Sequence, residues 1–412
     1  MAKHTIVIGA GIVGVSCAIW LQRAGHRVTL IDRQGPASGT SQGNAGILAA
    51  GAIVPVPAPG LATKGPAMLL DKNAPLFLRW SYLPKLLPFL APYLRRARDR
   101  DVQDTAFALS ELLLDAADQH RALAAGTGAE KYIEDSEYLF GYGDKAAFEA
   151  DAYGWAIKKK AGVRVVEMDA AQFADYDPAM AGRFGYGLRC LDHGHITDPG
   201  AYVKALADHF VAEGGDLEIA RVEDIETHRG KAKAVITVNR RVEADSIVLA
   251  TGMWSKPLAE KLGVRVNMEA ERGYHIEYIN PSIMPRAPIM VAAGKFVLTP
   301  MAGRLRCAGI VEFGGMEAGP SKPPFDLLRR QTEELLPDLQ YDEVVEWMGF
   351  RPSTVDSIPL IGPFAKTQNV FAAFGHQHIG LTGGPKTGRW IAGMVDGTAG
   401  NTDLSAFSPN RF

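Results

Sequence analysis

The sequence has few cysteines and almost no net charge. Its 412 residues include only three cysteines, Cys17, Cys190 and Cys307, which lie far apart in the chain. They provide neither a disulfide framework nor the close pairs of a zinc site, so we expect small buried hydrophobic residues and no metal centre. The formal net charge of -2 gives no electrostatic argument for nucleic-acid binding, and we expect no nucleic-acid partner.

Long apolar runs are also missing, which argues against a transmembrane helix. The most apolar segment spans 76–90, contains Pro84 and Pro88, and precedes a cluster of arginines within 95–98. Such a segment can bind at a membrane surface, but prolines break helices, which favours packing on the protein's own core. A strand predicted from residue 4 leaves no room for a secretory signal. We expect a cytoplasmic protein, with peripheral contact at the inner face of the membrane as the alternative.

The composition is that of a globular enzyme with more than one domain. Hydrophobic residues make up 47% of the chain and charged residues 22%, which is typical of globular proteins. A chain of this length exceeds the usual size of a single hydrophobic core. The sequence contains no internal repeat or low-complexity tract. We therefore predict two domains.

A strand, a glycine-rich turn, a helix and a second strand occupy the first 32 residues. The pattern predicts strands at His4–Ile8 and Arg27–Asp32 and a helix at Val13–Ala24. Between the first strand and the helix, Gly9–Gly14 reads Gly-Ala-Gly-Ile-Val-Gly, which matches the dinucleotide-binding pattern GxGxxG. Because a strand precedes the glycines and a helix and a second strand follow them, the motif indicates dinucleotide binding far more specifically than a glycine-rich turn alone.

Each glycine of the motif has a role in binding a dinucleotide. Gly9 permits the tight turn, Gly11 lets the backbone approach a pyrophosphate, and Gly14 allows the helix to pack closely on the sheet. The N–H groups at the helix start, at Ile12 and Val13, point towards the anion. At the end of the second strand, Asp32 can accept hydrogen bonds from ribose hydroxyls. The motif predicts a dinucleotide but does not choose between FAD and NAD.

The remaining pattern predicts a domain built from separated segments, with a second domain inserted. Residues 62–130 are predicted to be helical, with one helix at Ala106–Ala125, and 266–345 to form an antiparallel sheet. The last 60 residues return to a strand at Asn369–Phe374 and a helix at Thr387–Val395. Short strands before the inserted sheet are predicted at Asp216–Ile219, Val222–Thr227, Lys233–Val238 and Ser246–Ala250.

Four further motifs accompany the N-terminal unit. They are GTSQGNAG at Gly39–Gly46, VLATGMWS at Val248–Ser255, GFRPSTVDSIPLIG at Gly349–Gly362 and GHQHIGLTGG at Gly375–Gly384. In order and spacing across nearly the whole chain, the set resembles the D-amino-acid oxidase superfamily, most of all the small-subunit type of bacterial D-amino-acid dehydrogenase. The resemblance implies an α/β protein with a glutathione-reductase-like FAD-binding Rossmann domain and an inserted α+β substrate domain with a mostly antiparallel sheet.

The resemblance and the chain pattern together predict the domain boundaries and the cofactor site. We assign 1–60, 150–265 and 346–412 to the FAD-binding domain, and 61–149 and 266–345 to the substrate domain. The cofactor is expected to be FAD, held without a covalent bond, because relatives with covalent flavin use a cysteine where this chain has none, within 349–354. The predicted cofactor-binding residues are Gly9, Gly11, Ile12, Val13, Gly14, Asp32, Arg33, Ser41, Asn44, Ala45, Gly46, Val222, Thr251, Gly252, Trp254, Gly380, Leu381 and Thr382.

The family match also implies three substrate-site residues. Arg351, followed by Pro352, matches the arginine that binds the substrate carboxylate in the family, and a guanidinium engages a carboxylate through two hydrogen bonds. His378 is predicted to be a polar group of the substrate site, and His376 a structural hydrogen-bonding residue. Some relatives present a tyrosine from the strand that here includes Phe296 but no tyrosine. Tyr274 can serve instead, although a single tyrosine in an alternating strand more often has a packing role.

The implied activity is FAD-dependent oxidation of a D-amino acid, a step of amino-acid catabolism. A hydride passes from Cα to the flavin, and the imino acid product hydrolyses to a 2-oxo acid and ammonia. The electrons are expected to pass to a quinone or another acceptor, as in a dehydrogenase. Two alternatives keep the fold: a secondary amine or imino acid as substrate (sarcosine, D-proline, D-hydroxyproline or an opine-type compound), and an oxidase that uses oxygen. A third alternative, from a different class, is a protein that binds a dinucleotide without catalysis.

Overall fold

The computed structural model describes residues 3–71, 73–398, 400 and 402–412. Within these residues the strands form sheets of six, ten and three strands. The first is a parallel sheet, apart from one antiparallel pair at its edge. Its strand order is Leu360–Pro363, Val370–Phe374, Ser246–Leu249, His4–Ile8, Arg27–Asp32 and Asp216–Ile219.

Apolar residues cover both faces of the parallel sheet because successive side chains of each strand point in opposite directions. Val7 packs in a cluster with the helices Ile12–Arg23, Pro199–Ala212 and Gly380–Asp396. Its neighbours in the strand, such as Ile6, pack in a second cluster on the other face. That cluster includes residues of the three-stranded sheet, whose strands are Val222–His228, Lys231–Thr237 and Arg241–Glu243.

The ten-stranded sheet, called the large sheet below, is mostly antiparallel. The main order is Glu343–Thr354, Met268–Ile279, Arg304–Phe313, Phe296–Met301, Ile289–Val291, Ile133–Tyr142, Tyr186–Ile196 and Ile47–Leu48. Two more strands pair beside this path, Leu76–Leu78 and Val165–Asp169. A parallel nucleotide-binding type of sheet joined to a separate, mostly antiparallel sheet confirms the predicted fold class.

The strand pairing differs from the predicted domain boundaries. Tyr186–Ile196 pairs along its length with Ile133–Tyr142, and Val165–Asp169 pairs with it in turn. The predicted boundaries assign Val165–Asp169 and Tyr186–Ile196 to the FAD-binding domain. The backbone hydrogen bonds of these two strands nevertheless lie in the large sheet. We therefore propose that the substrate domain also contains 150–196, because pairing partners far apart in the chain determine which sheet a strand joins.

The proline-containing segment forms one helix, Leu83–Arg95, which continues through Pro88 and Pro92. The predicted break is therefore wrong, whereas the predicted packing on the protein's own core is confirmed. Leu86, Phe89 and Tyr93 pack in a cluster with Phe313 and Val355, and this burial offsets the lost backbone hydrogen bonds. In the part of the chain described, no helix is both long and apolar enough to cross a membrane. The three cysteines are buried, as predicted.

The predicted helix Ala106–Ala125 is two helices, Asp99–Leu113 and Ala116–Ala124. The break falls at Asp115, whose carboxylate accepts hydrogen bonds from Lys386 Nζ at 2.9 Å and from Gln119 Nε2 at 2.9 Å. The first of these partners is distant in the sequence, so local periodicity could not reveal the break. The other helices are Leu61–Leu70, Lys145–Ala150, Ala152–Lys160, Ala170–Tyr176, Ser255–Lys261 and Lys322–Leu335.

The C-terminal helix begins seven residues before the predicted start, at Gly380 rather than Thr387, and ends at Asp396. Pro385 lies inside it, and a proline in a sequence usually indicates a helix boundary. Here the helix continues because its first turn is held by other parts of the chain. This places the helix N-terminus at the edge of the parallel sheet.

Candidate active site

A cavity of about 370 Å³ lies where the parallel strands end. It is lined by the turn after His4–Ile8, the end of Arg27–Asp32, the turn after Ser246–Leu249 and the start of the C-terminal helix. This is the usual position of a ligand in an open sheet of parallel strands. The predicted cofactor residues that line it are Gly9, Gly11, Ile12, Val13, Asp32, Arg33, Ser41, Asn44, Val222, Thr251, Gly252, Trp254, Gly380 and Leu381.

The glycine turn has the close contacts that its sequence predicts. Gly9 has φ of 105°, and a Cβ atom there would lie 2.5 Å from the carbonyl oxygen of Ala250. At Gly14, which does not line the cavity, a Cβ atom would lie 1.8 Å from the carbonyl oxygen of Gly9. Gly11 is the N-cap of the first helix. The N–H of the next residue, Ile12, donates to Ser41 Oγ at 3.0 Å, so the helix N-terminus faces the cavity beside a hydroxyl.

Asp32 is held by backbone N–H groups on both carboxylate oxygens. Oδ2 accepts from Ala10 at 2.8 Å, and Oδ1 accepts from Gln34 at 2.8 Å and Gly35 at 3.0 Å. The carboxylate therefore keeps a fixed orientation and still has acceptor capacity for hydroxyl groups. This geometry fits the predicted ribose contact.

Replacing Asp32 with asparagine is expected to weaken both the turn and FAD binding. An amide offers a single acceptor oxygen, so an NH₂ group faces at least one of the three backbone donors. The cost to the free energy of unfolding is roughly 1–3 kcal/mol. Denaturant unfolding of the apoprotein and FAD titration would measure the two effects. An unchanged FAD affinity would contradict the assigned ribose contact.

A cation–aromatic stack forms part of the cavity wall. The guanidinium carbon of Arg33 lies 3.9 Å from the ring centroid of Trp254. The indole also meets Phe350 edge-on, with centroids 6.2 Å apart. Both Arg33 and Trp254 line the cavity, beside Val222 at the start of a strand of the three-stranded sheet. The stack is a flat, partly charged wall of the kind that suits an aromatic base.

The segment 38–46 connects the cavity to the large sheet. Thr40 donates from its hydroxyl to the carbonyl of Phe350 at 2.8 Å. Arg306 donates to the carbonyl oxygens of Gln42, at 3.1 Å, and Asn44. Gly46 has φ of 80° and lies against the backbone of Ile196. A Cβ atom added to Gly46 would lie 2.7 Å from the carbonyl oxygen of Ile196. Ala45 and Gly46 do not line the cavity; they hold the segment that positions Ser41 and Asn44.

The start of the C-terminal helix presents free backbone donors. Within the described chain, the N–H groups of Gly380, Leu381 and Thr382 have no hydrogen-bond acceptor, as is usual in a first helical turn. The Thr382 hydroxyl donates to the carbonyl of Ile47 at 3.2 Å. Thr382 itself does not line the cavity. His376 Nε2 lies 2.9 Å from Thr387 Oγ1, so its ring joins the preceding turn to this helix. His376 thus has the predicted structural role.

Arg351 lies in the strand Glu343–Thr354, directly opposite Glu271. Its guanidinium lies over Gly273, where a Cβ atom would be 2.7 Å from Nε and 2.8 Å from Cζ. Among the described residues, nothing forms a hydrogen bond or an ion pair with this guanidinium. Burial raises the pKa of Glu271, although the charge of Arg351 opposes that shift. A half-buried guanidinium without a protein partner can bind an anion through its N–H donors.

His378 follows a strained turn that is anchored to the same strand. Gln377 has φ of 47°. Its backbone N–H donates to the carbonyl of Pro352 at 3.2 Å, and its side-chain amide donates to the carbonyl of Thr354 at 3.3 Å. The side chain of His378 is exposed to solvent, although much protein lies around its imidazole. Burial, and then the charge of Arg351, lower the pKa of His378 to about 4. The ring is therefore neutral at neutral pH.

Tyr274 does not join Arg351. Gly273 and His275, its neighbours in the strand, share the Arg351 face, so Tyr274 points to the other side of the sheet. Its hydroxyl donates to Glu312 Oε2 at 2.5 Å, and its ring meets Phe325 at 5.0 Å between centroids. The expectation that Tyr274 replaces a substrate-site tyrosine is corrected accordingly: the alternation of the strand directs this side chain into the core.

Two residues that the sequence analysis missed lie on the Arg351 face. The Trp347 indole stacks on the His275 ring at 4.9 Å and 14°. It also lies against Gly349 and Gly43, where Cβ atoms would be 2.1 Å from it. His275 Nδ1 lies 3.0 Å from the Gly43 carbonyl oxygen. Alternation along the strand, which sets positions 347, 349 and 351 on one face, is the signal that could have identified Trp347.

Comparisons with known proteins identify the family of this chain. A family model described as FAD-dependent oxidoreductase (DAO) matches residues 4–394. A protein of Bradyrhizobium diazoefficiens named D-amino-acid oxidase is 39% identical over 100% of this chain and 99% of the relative. A D-amino acid dehydrogenase of the same organism is 29% identical over 99% of this chain and 98% of the relative.

Solved structures show the same fold. The glycine oxidase of Geobacillus kaustophilus superposes with a TM-score of 0.76 at 20% identity, covering 100% of both chains. The cavity, the glycine turn, the fixed Asp32 carboxylate and the free N–H groups at Gly380 fit a bound FAD. The chain belongs to the DAO family of FAD-dependent oxidoreductases.

Proposed function

We propose that this protein oxidises a D-amino acid to an imino acid, which hydrolyses in water to a 2-oxo acid and ammonia. The observation that carries the proposal is the unpaired guanidinium of Arg351, which presents two parallel donors to a substrate carboxylate. The names of the relatives at 39% and 29% identity support the substrate class. A protein that only binds a dinucleotide has no use for this buried cation.

The residues around Arg351 orient and desolvate the substrate. With the carboxylate on Arg351, neutral His378 can accept a hydrogen bond from the substrate amine, whose lone pair must be free for oxidation. The Trp347 indole forms a flat apolar wall on the same sheet face. When bound, FAD supplies a two-electron acceptor for the hydride of Cα. The protein itself contributes position rather than acid–base chemistry.

For the electron acceptor we propose a quinone or another acceptor, as in a dehydrogenase. Oxygen is the second candidate, favoured by the name of the relative that is 39% identical. We also propose that FAD is held without a covalent bond, because none of the cavity-lining residues is a cysteine. Denaturation should release the flavin and leave a colourless protein pellet.

A secondary amine or imino acid is the alternative substrate. The observation that favours it is that neither position considered for a substrate-site tyrosine provides one: Tyr274 faces the core, and the strand Phe296–Met301 contains no tyrosine. The Arg351 face carries Trp347 and His275 instead. A substrate such as sarcosine or D-proline would keep the carboxylate on Arg351 and differ only at nitrogen.

Anaerobic mixing with a panel of substrates tests the proposal. We expect the visible absorbance of the oxidised flavin to bleach with D-amino acids and to persist with their L enantiomers. Bleaching only by sarcosine, D-proline or D-hydroxyproline would support the secondary-amine alternative instead. Repeating the positive reaction in air separates the acceptors, since an oxidase returns to the oxidised spectrum and releases hydrogen peroxide. A purified protein without flavin would refute the proposal.

A further inference from the structure

A buried histidine contacts the start of the C-terminal helix from outside the cavity. His120 lies in the helix Ala116–Ala124 with none of its surface exposed. Its Nε2 atom lies 2.8 Å from the carbonyl oxygen of Leu381, and its Nδ1 atom lies 2.9 Å from Tyr202 Oη. Leu381 lines the cavity, whereas His120 and Tyr202 do not. The histidine therefore reaches the cofactor site only through a backbone carbonyl.

Pro385 explains why that carbonyl needs a donor from elsewhere. In an α-helix the carbonyl of Leu381 would accept from the N–H four residues later. Residue 385 is proline and has no N–H, although it lies inside the helix Gly380–Asp396. His120 supplies the missing donor. The helix can thus begin at Gly380, beside the cavity, with its second carbonyl satisfied.

The chemistry of the partners fixes the direction of each hydrogen bond. A carbonyl oxygen only accepts, so His120 Nε2 carries the proton and donates to Leu381. Nδ1 is then an acceptor and receives the hydroxyl proton of Tyr202. Burial lowers the pKa of His120 to about 4, so the ring is neutral at neutral pH and keeps this tautomer.

The far end of this chain of hydrogen bonds is a free donor. The carbonyl of Leu381 and the N–H of Thr382 belong to the same peptide group. A hydrogen bond to a carbonyl polarises its peptide and strengthens the N–H as a donor. Within the described residues, the N–H of Thr382 has no acceptor, and it lies in the first turn of the helix, where the helix dipole favours negative charge.

We propose that His120, oriented by Tyr202, is a positioning residue that polarises the Leu381–Thr382 peptide in the helical turn whose residues Gly380 and Leu381 line the cavity. In this role it favours the negative charge that the flavin acquires on reduction and strengthens FAD binding. The inference goes beyond the proposed function because it holds for any substrate and any electron acceptor. His120 would act on the cofactor indirectly, through one peptide group.

Three variants test this role, with flavin binding and reduction potential as the readouts. His120→Leu removes the donor and keeps an apolar side chain of similar bulk; His120→Gln keeps an N–H at a similar distance from the backbone. His26→Leu is the matched control. His26 is also buried, and its Nε2 lies 2.7 Å from Asp396 Oδ1, at the opposite end of the same helix. Potentials are measured against a redox dye without any amino-acid substrate.

We expect His120→Leu to lower, about tenfold, the affinity of the protein for reduced flavin relative to oxidised flavin. This is the usual effect of losing one hydrogen bond of this kind. For a two-electron couple this is a shift of about 30 mV to more negative potential. FAD titration of the apoprotein should show a similar loss of affinity. His120→Gln should restore most of both values, and His26→Leu should lower the unfolding midpoint without moving the potential.

Two results would overturn the proposal: an unchanged potential in His120→Leu, or an equal shift in His26→Leu, which would indicate general loosening of the helix. If His120→Leu does not fold, Tyr202→Phe takes its place. It keeps the ring packing and removes the hydroxyl that orients His120, so a smaller shift of the same sign is expected, and no shift would refute the proposal. These readouts need no substrate, so failure here leaves the proposed D-amino-acid oxidation untouched.

Discussion

Replacing Arg351 with leucine is expected to lower kcat/KM for the amino-acid substrate by about 10³-fold or more, while FAD stays bound. The guanidinium has no hydrogen-bond or ion-pair partner in the described chain, so its donors are available for the carboxylate of the proposed substrate. Losing a buried, charge-assisted pair with a carboxylate costs roughly 4 kcal/mol, which corresponds to this factor. The measurement is the rate of anaerobic flavin reduction as a function of substrate concentration.

Arg351→Lys provides the conservative comparison. It keeps the charge and loses the planar fork, so we expect an intermediate loss of about 10- to 100-fold, mostly in KM. A lysine variant as active as the original protein would show that charge alone binds the carboxylate. If Arg351→Leu retained activity within about tenfold of the original protein, the carboxylate clamp would lie elsewhere.

The neighbouring Arg272 provides a structural control for Arg351→Leu. Arg272 is fully buried on the opposite face of the sheet, and its Nη1 lies 2.6 Å from Glu312 Oε2. Arg272→Leu would leave a buried carboxylate without its main partner, at a cost of about 3–5 kcal/mol of folding free energy. Arg351 forms no ion pair or hydrogen bond with Glu271 in the described structure, although its charge opposes the raised pKa of that buried carboxyl, so Arg351→Leu should cost less stability than Arg272→Leu. The two variants should therefore separate stability from activity.

Local sequence signals predicted the dinucleotide-binding unit well. The strand His4–Ile8 and the glycine turn depend on residues within one short segment. Side-chain direction in the large sheet was harder to predict, because it depends on register between distant strands. Tyr274 and Trp347 show the two kinds of error: the first was expected in the site but faces the core, and the second was missed although it shares a face with Arg351.

Contacts between distant helices were beyond sequence analysis for a related reason. A proline such as Pro385 usually indicates a helix boundary, and only the folded chain shows that His120 satisfies the carbonyl that the proline leaves without a donor. Similarly, the break at Asp115 coincides with the ion pair between its carboxylate and Lys386. In both cases a tertiary contact overrides a local preference. Such contacts concentrate around the C-terminal helix, where the proposed flavin-binding N–H groups must be held in place.

Gly14→Ala and Gly11→Ala are expected to fail in different ways, although both change the same glycine motif. At Gly14 a Cβ atom would lie 1.8 Å from the Gly9 carbonyl oxygen and 2.9 Å from its carbon, and backbone atoms cannot move aside as side chains do. The helix must shift from the sheet, so we expect the apoprotein to lose at least about 1–3 kcal/mol of stability. Denaturant unfolding of the apoprotein measures this loss directly.

At Gly11 the nearest atom to an added Cβ is Ser41 Oγ, at 3.1 Å, which belongs to a side chain that can rotate. The backbone there, with φ of -73° and ψ of 177°, is open to alanine. We therefore expect apoprotein stability within about 1 kcal/mol of the original. FAD affinity should nevertheless fall about 100-fold, because the methyl group occupies the approach of a pyrophosphate to the helix N-terminus. Tight FAD binding by Gly11→Ala would place the pyrophosphate elsewhere, whereas a stable Gly14→Ala apoprotein would mean that the helix can leave the sheet at little cost.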